Sequence, residues 1–140
     1  MKFGDGALTD DVERLAKAVD AIARKCWRGL PALMGRTAAP SPAQISDALG
    51  GAGVDADTAF ILAEWEHIVQ AVAAVVSEYP NDWNMYRRFI LLKETGRASW
   101  GSVGAVERLA EENSVSPYVV RETVRSIPRR IAAWVSMNLT

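Results

Sequence analysis

The chain has 140 residues, 49% of them apolar, and a formal net charge of −1; that is enough for one domain, or two very small ones, with a hydrophobic core, and it excludes a disordered chain. A single cysteine, Cys26, excludes an internal disulfide framework and a cysteine-based zinc cage and fits a reducing compartment. The start, MKFGDGALTDD, has no apolar signal region, and the longest apolar run, residues 71–76, is far too short to span a bilayer, so a cytoplasmic protein with no membrane contact is expected.

Asp10 and Glu13 read as a capping pair that opens a first helix running to about Arg28. Leu8, Val12, Leu15, Val19, Ile22 and Cys26 recur at four- and three-residue steps and make one narrow seam, suited to a single partner helix. That partner is either the helix carrying Ile61 to Val76 or a second copy of the chain. Residues 31–42, PALMGRTAAPSP, read as a loop, after which Ser41-Pro42-Ala43-Gln44 starts a short helix that Gly50-Gly51 ends. A turn at Gly53 and Asp55 leads into one long helix, from about Ala56 or Asp57 to Tyr79. Its broad apolar band includes Ile61, Trp65, Ile68, Val72 and Val75, which makes it the expected central element. Pro80 ends it, and Asn81 or Asp82 caps a further helix with Trp83, Tyr86, Phe89, Ile90 and Leu92 inward, until Gly96.

The segment from 106 to 125, VERLAEENSVSPYVVRETVR, reads as two helices around a tight turn, the arrangement that sets a helix into the DNA major groove. Val106, Leu109 and Ala110 form the inner face of the first, and the small Ala110 allows a close crossing. Ser116 caps the second, with Pro117 at its first position. Val120, Val124 and Ile127 point inward, leaving Tyr118, Arg121, Glu122 and Arg125 outside, where side chains that read bases sit. Pro128 is expected to kink the chain or begin a final helix, on which Ile131, Trp134 and Val135 continue the inner face. No segment alternates with period two, so an all-α protein of about six helices is expected.

Charge divides the chain. Residues 1–80 hold seven Lys/Arg against eleven Asp/Glu, a balance of −4, whereas residues 81–140 hold nine against six, a balance of +3. The basic region contains the two-helix motif, and its modest excess implies salt-sensitive binding of moderate strength.

Other constellations lack the parts their chemistry needs. Glu64 and His67 have the Glu-x-x-His spacing of di-iron bundles, but the chain has one histidine and no second pair. The GGAG at 50–53 precedes a helix without the Gly-Lys-Ser/Thr of a phosphate loop, and Asp55 and Asp57 would repel a phosphate there. Cys26 lies in an apolar seam with no neighbouring histidine and reads as a small hydrophobe. Trp65, Trp83 and Trp134 fall on apolar faces, and Trp100 is expected beneath the motif; Trp27, between Lys25 and Arg28, is the one tryptophan without a clear place. No catalytic group, metal site or cofactor follows, and no enzyme is expected.

RLAEENSVSPYVVRETVRSI, residues 108–127, resembles the DNA-reading end of the fourth conserved region of bacterial sigma factors. The wider stretch 79–139, with MYRRFILLKETGRASW before the motif and RRIAAWVSMNL after it, resembles the phage late-gene antitermination proteins of the Q class. Ser114 stands where that pattern usually has a glycine for a left-handed turn, which shifts the expected left-handed residue to Asn113.

Motif and resemblance together imply an all-α protein with a helical interaction or core region at 1–80 and a helix-turn-helix region at 81–140. Its expected function is sequence-specific transcription regulation of phage or prophage type, as activator or antiterminator, on double-stranded DNA. Ser116, Pro117, Tyr118, Arg121, Glu122 and Arg125 are the expected DNA-binding residues, with Arg129 and Arg130 as phosphate contacts. RNA polymerase and a second copy of the chain are the further expected partners. The alternative is a helical module that binds RNA polymerase or another factor without touching DNA. The surface around Arg121 and Arg125 discriminates: pairing of Glu111, Glu112 and Glu122 with those arginines would neutralise it and favour the alternative.

Overall fold

The seam of the first helix finds its partner at the far end of the chain. A computed structural model describes residues 8–25, 41–50, 56–95 and 101–138, and among these α1 (Leu8–Lys25) packs most extensively on the last helix, α7 (Pro117–Asn138). Leu15, Val19 and Ile22 are all but fully buried, each burial being favourable by about 1.5–3 kcal/mol. Within the chain, the partner is therefore α7 and not the helix bearing Ile61 to Val76. The helix begins at Leu8, so Asp10 lies inside its first turn rather than at the cap. Cys26 and Trp27 lie outside the described residues.

The second start is as the sequence implies. The Gln44 N–H donates to Ser41 Oγ at 3.2 Å, and the Ser41 N–H donates to Gln44 Oε1 at 2.8 Å; this capping box opens α2 (Pro42–Ala48), and Gly50 at φ 74° turns the chain after it.

The single long helix expected over 56–79 is two. α3 (Ala56–Ala63) and α4 (Trp65–Glu78) meet at Glu64 with a bend of 71°. No proline or glycine causes it. Glu64 sits at φ −104°, ψ 16°, its N–H donates to the Phe60 carbonyl at 2.9 Å, and its own carbonyl accepts from the Ile68 N–H at 3.0 Å, so the bend leaves neither of those groups unpaired. The apolar band is too wide for one face of a straight helix, and the bend gives its halves different partners: α3 packs on α2, α4 on α7.

Tyr79 ends α4 just before Pro80, as expected, but α5 (Pro80–Thr95) begins at Pro80 itself, so Asn81 and Asp82 lie inside its first turn and neither is its cap. Trp83, Tyr86, Phe89, Ile90 and Leu92 are buried as expected. The Tyr86 hydroxyl donates to Asp20 of α1 at 2.8 Å, and Arg24 Nε donates to the same carboxylate at 2.7 Å. Burial, then the Asp20 charge, push the Tyr86 hydroxyl well above its ordinary pKa, so it stays a neutral donor. Tyr86→Phe is expected to cost about 1–2 kcal/mol, the worth of a hydrogen bond to a charged group that keeps one other partner. A urea midpoint that does not move would show the bond to be energetically idle.

α6 (Gly101–Asn113) and α7 complete the chain. Pro128 neither starts a new helix nor interrupts this one: α7 runs through it, with the proline ring buried. An interior proline disfavours a helix by about 3 kcal/mol, and α7 offsets this by packing on α1, α4, α5 and α6 at once. It, not α4, is the central element. Val120, Val124, Ile127, Ile131, Ala132 and Val135 lie in one cluster with core residues of both 1–80 and 81–140. The described residues are all-helical, with seven helices and no strand, and none of the helices is long and apolar enough by itself to cross a membrane.

Candidate nucleic-acid interface

The turn between α6 and α7 is a helix stop with a defined hydrogen-bond pattern. The Val115 N–H donates to the Ala110 carbonyl at 3.0 Å and the Ser114 N–H to the Glu111 carbonyl at 3.3 Å, the paired bonds of a Schellman motif, with Val115 placed to contact Ala110. Ser114 itself takes the left-handed conformation, at φ 54°. The expectation that Asn113 would do so is corrected: Asn113 remains the last helical residue, and its side-chain amide donates to the Leu109 carbonyl at 2.8 Å. The motif requires positive φ at the residue after the cap, and that residue is Ser114. Ser114→Gly should therefore stabilise the protein by about 1 kcal/mol, the strain an L-residue carries there. A thermal midpoint that falls would show that the serine is not strained.

Ser116 then opens α7. The Val119 N–H donates to its hydroxyl at 3.3 Å, as a capping serine should. The first turn holds no acidic residue, so the positive end of the helix dipole is uncompensated there. Ser116, Pro117, Tyr118, Arg121, Glu122, Arg125 and Arg129 are all exposed. Tyr118, Arg121, Glu122, Arg125 and Arg129 follow at three- and four-residue steps and share one face. Val119, 44% exposed, and Tyr118, 57% exposed, are two of the large apolar side chains left in solvent.

The charges on this face are unequal in freedom. Arg121 has no ion pair among the described residues. Arg125 meets Glu122 only at 3.6 Å, with both side chains about half exposed, a pair of little energetic worth. Arg129 is tied across to Glu13 of α1 at 3.1 Å. Glu112 turns away from α7. It accepts from Arg88 of α5 at 3.1 Å and from Arg108 at 2.8 Å, and hydrogen bonds from Arg88 first and Arg108 second hold its carboxyl below the usual range. Neither Glu111 nor Glu112 forms an ion pair with Arg121 or Arg125 among the described residues.

Arg130 stands apart from the others. One residue beyond Arg129 it is turned about 100° around the helix, where its guanidinium lies 3.8 Å from the centre of the Tyr79 ring and its Nε is buried without a partner. It is a half-buried packing cation as well as an expected phosphate contact. Sequence reasoning missed Lys17 and Arg24. Packing of α1 on α7 brings both to a groove that Arg121, Arg125 and Arg129 also line. Their seven-residue spacing beside the apolar seam was the available signal, but not which helix they would meet. Glu64 and His67 hydrogen-bond to each other at 3.0 Å. Trp100 and the glycines at 51, 53 and 96 lie outside the described residues.

Comparison with protein families, curated proteins and solved structures gives no match.

Proposed function

We propose that the protein is a sequence-specific DNA-binding regulator of transcription that sets the first turns of α7 into the major groove. The observation that carries this reading is Arg121: exposed, without an ion pair among the described residues, and one turn into a helix that begins after a three-residue turn. Arginine is the usual partner of guanine O6 and N7, and the N-terminal turns of a recognition helix are those that meet base edges. In this reading Ser116, Pro117 and Tyr118 lead into the groove, with the Ser116 hydroxyl and the Tyr118 N–H near a phosphate. Arg121 reads a base, Glu122 and Arg125 follow along the groove, and Arg129 and Arg130 serve the backbone from farther along the helix. The chemistry is recognition without catalysis. The resemblance of 79–139 to the Q-class antitermination proteins favours a phage or prophage regulator, acting in the cytoplasm as activator or antiterminator beside RNA polymerase.

Exposed Tyr118 and Val119 favour a second reading, in which the same turns dock on RNA polymerase or another factor and no DNA is touched. Selection from a pool of random duplex DNA decides between them. A shared enriched sequence is expected. Its absence, with no salt-dependent binding to any duplex, would overturn the DNA reading in favour of the second.

A further inference from the structure

The groove between α1 and α7 has a volume of about 430 Å³, within the range that holds one small organic molecule. Its floor is apolar: Ala16 of α1, Phe89 of α5, Val106 of α6, and Val124 and Pro128 of α7. Its rim is cationic. Of the two carboxylates that reach it, Glu13 is held by Arg129 at 3.1 Å, and Asp20 by Arg24 at 2.7 Å and the Tyr86 hydroxyl at 2.8 Å. Lys17, Arg121 and Arg125 are left over. Lys17 and Arg121 have no ion pair among the described residues, and Arg125 has only the exposed Glu122 at 3.6 Å, which does not line the groove.

Two cations without an ion pair among the described residues and a third held only by an exposed carboxylate at 3.6 Å, around one depression, repel each other, and an anion placed among them relieves that repulsion. An apolar floor offers water few partners and an apolar group several. The two features select together. An inorganic anion would use the rim and leave the floor wet, and a neutral apolar molecule would use the floor and leave the rim unpaired. We propose that this groove is a binding site for a small organic anion with an apolar body, its acidic group between Lys17, Arg121 and Arg125 and its body over Ala16, Val106 and Val124, beside the Phe89 ring that Arg24 covers. The site stands whether or not α7 reads DNA.

Isothermal titration calorimetry on the full chain tests it without DNA, with naphthalene-1-sulfonate as probe and inorganic sulfate and 1-naphthol as its two halves. One saturable site is expected for the sulfonate, with each half binding at least about tenfold more weakly, since each forgoes one charge-assisted contact or the apolar burial. Lys17→Gln should weaken the sulfonate about tenfold. Lys17 is exposed and outside the core, so the variant's circular dichroism and thermal midpoint should match the wild type. No saturable heat with the sulfonate, equal affinity for sulfate or for 1-naphthol, or unchanged binding in a folded Lys17→Gln protein would each overturn the proposal. Because DNA is absent, failure of the groove and failure of DNA recognition are read separately.

Discussion

Leu15→Glu is expected to unfold the protein, not to release a folded monomer from a dimer. Leu15 is 1% exposed, in the seam of the helix that packs along α7. Removing the leucine forfeits about 2–5 kcal/mol of burial and packing, and a carboxylate in its place must either be protonated or sit unpaired in an apolar core, at a further cost of several kcal/mol. The whole stability of a domain this size is about 5–15 kcal/mol. Sedimentation velocity together with circular dichroism distinguishes the outcomes. Loss of helical signal and aggregation are expected; a variant that keeps full helicity while a wild-type dimer becomes a monomer would show that the seam is intermolecular. Since the chain closes the seam on itself, a homodimer proposed for a two-fold symmetric DNA site has to use another surface.

Arg121→Ala should weaken binding to the selected duplex by about 1–3 kcal/mol, roughly 5- to 150-fold, and relax the preference at one base position. The side chain is exposed and unpaired among the described residues, so stability should stay within about 0.5 kcal/mol of wild type. The loss can then be assigned to contact with DNA. Arg130→Ala is expected to differ. Its guanidinium stacks on Tyr79, so the first consequence is a stability loss of about 1 kcal/mol. Any effect on DNA should be uniform across sequences, with a shallower salt dependence. Affinities measured at one salt concentration and over a salt series separate the two. Unchanged affinity in both variants, with folding intact, would remove α7 as the reading helix.

Much of the local structure was legible because it depends on neighbours within a few residues. Three- and four-residue apolar spacing marked the helices, and the inward residues Leu15, Val19, Trp83, Tyr86, Val120 and Ile127 are buried as that spacing implies. Ser41 and Ser116 cap the helices they were read to cap, since a capping hydroxyl reaches only its own first turn. The turn at 113–115 was legible in place but not in detail. Hydrogen bonding across the helix end chose Ser114 over Asn113 for the left-handed position.

What only the tertiary structure decided rests on contacts between residues far apart in the chain. The bend at Glu64 has no breaker residue, because it arises from α3 and α4 packing on different helices. Pro128 carries the local signature of a break, yet α7 passes through it, since packing on four helices outweighs one lost hydrogen bond. The central place of α7 and the partner of the α1 seam have the same origin. An apolar stripe states that it must be buried, but every other stripe in the chain could bury it, and only the closed core selects one. The candidate groove follows from that choice: Lys17 and Arg121 stand more than a hundred residues apart in sequence, and it is the docking of α1 on α7 that brings both to the same depression.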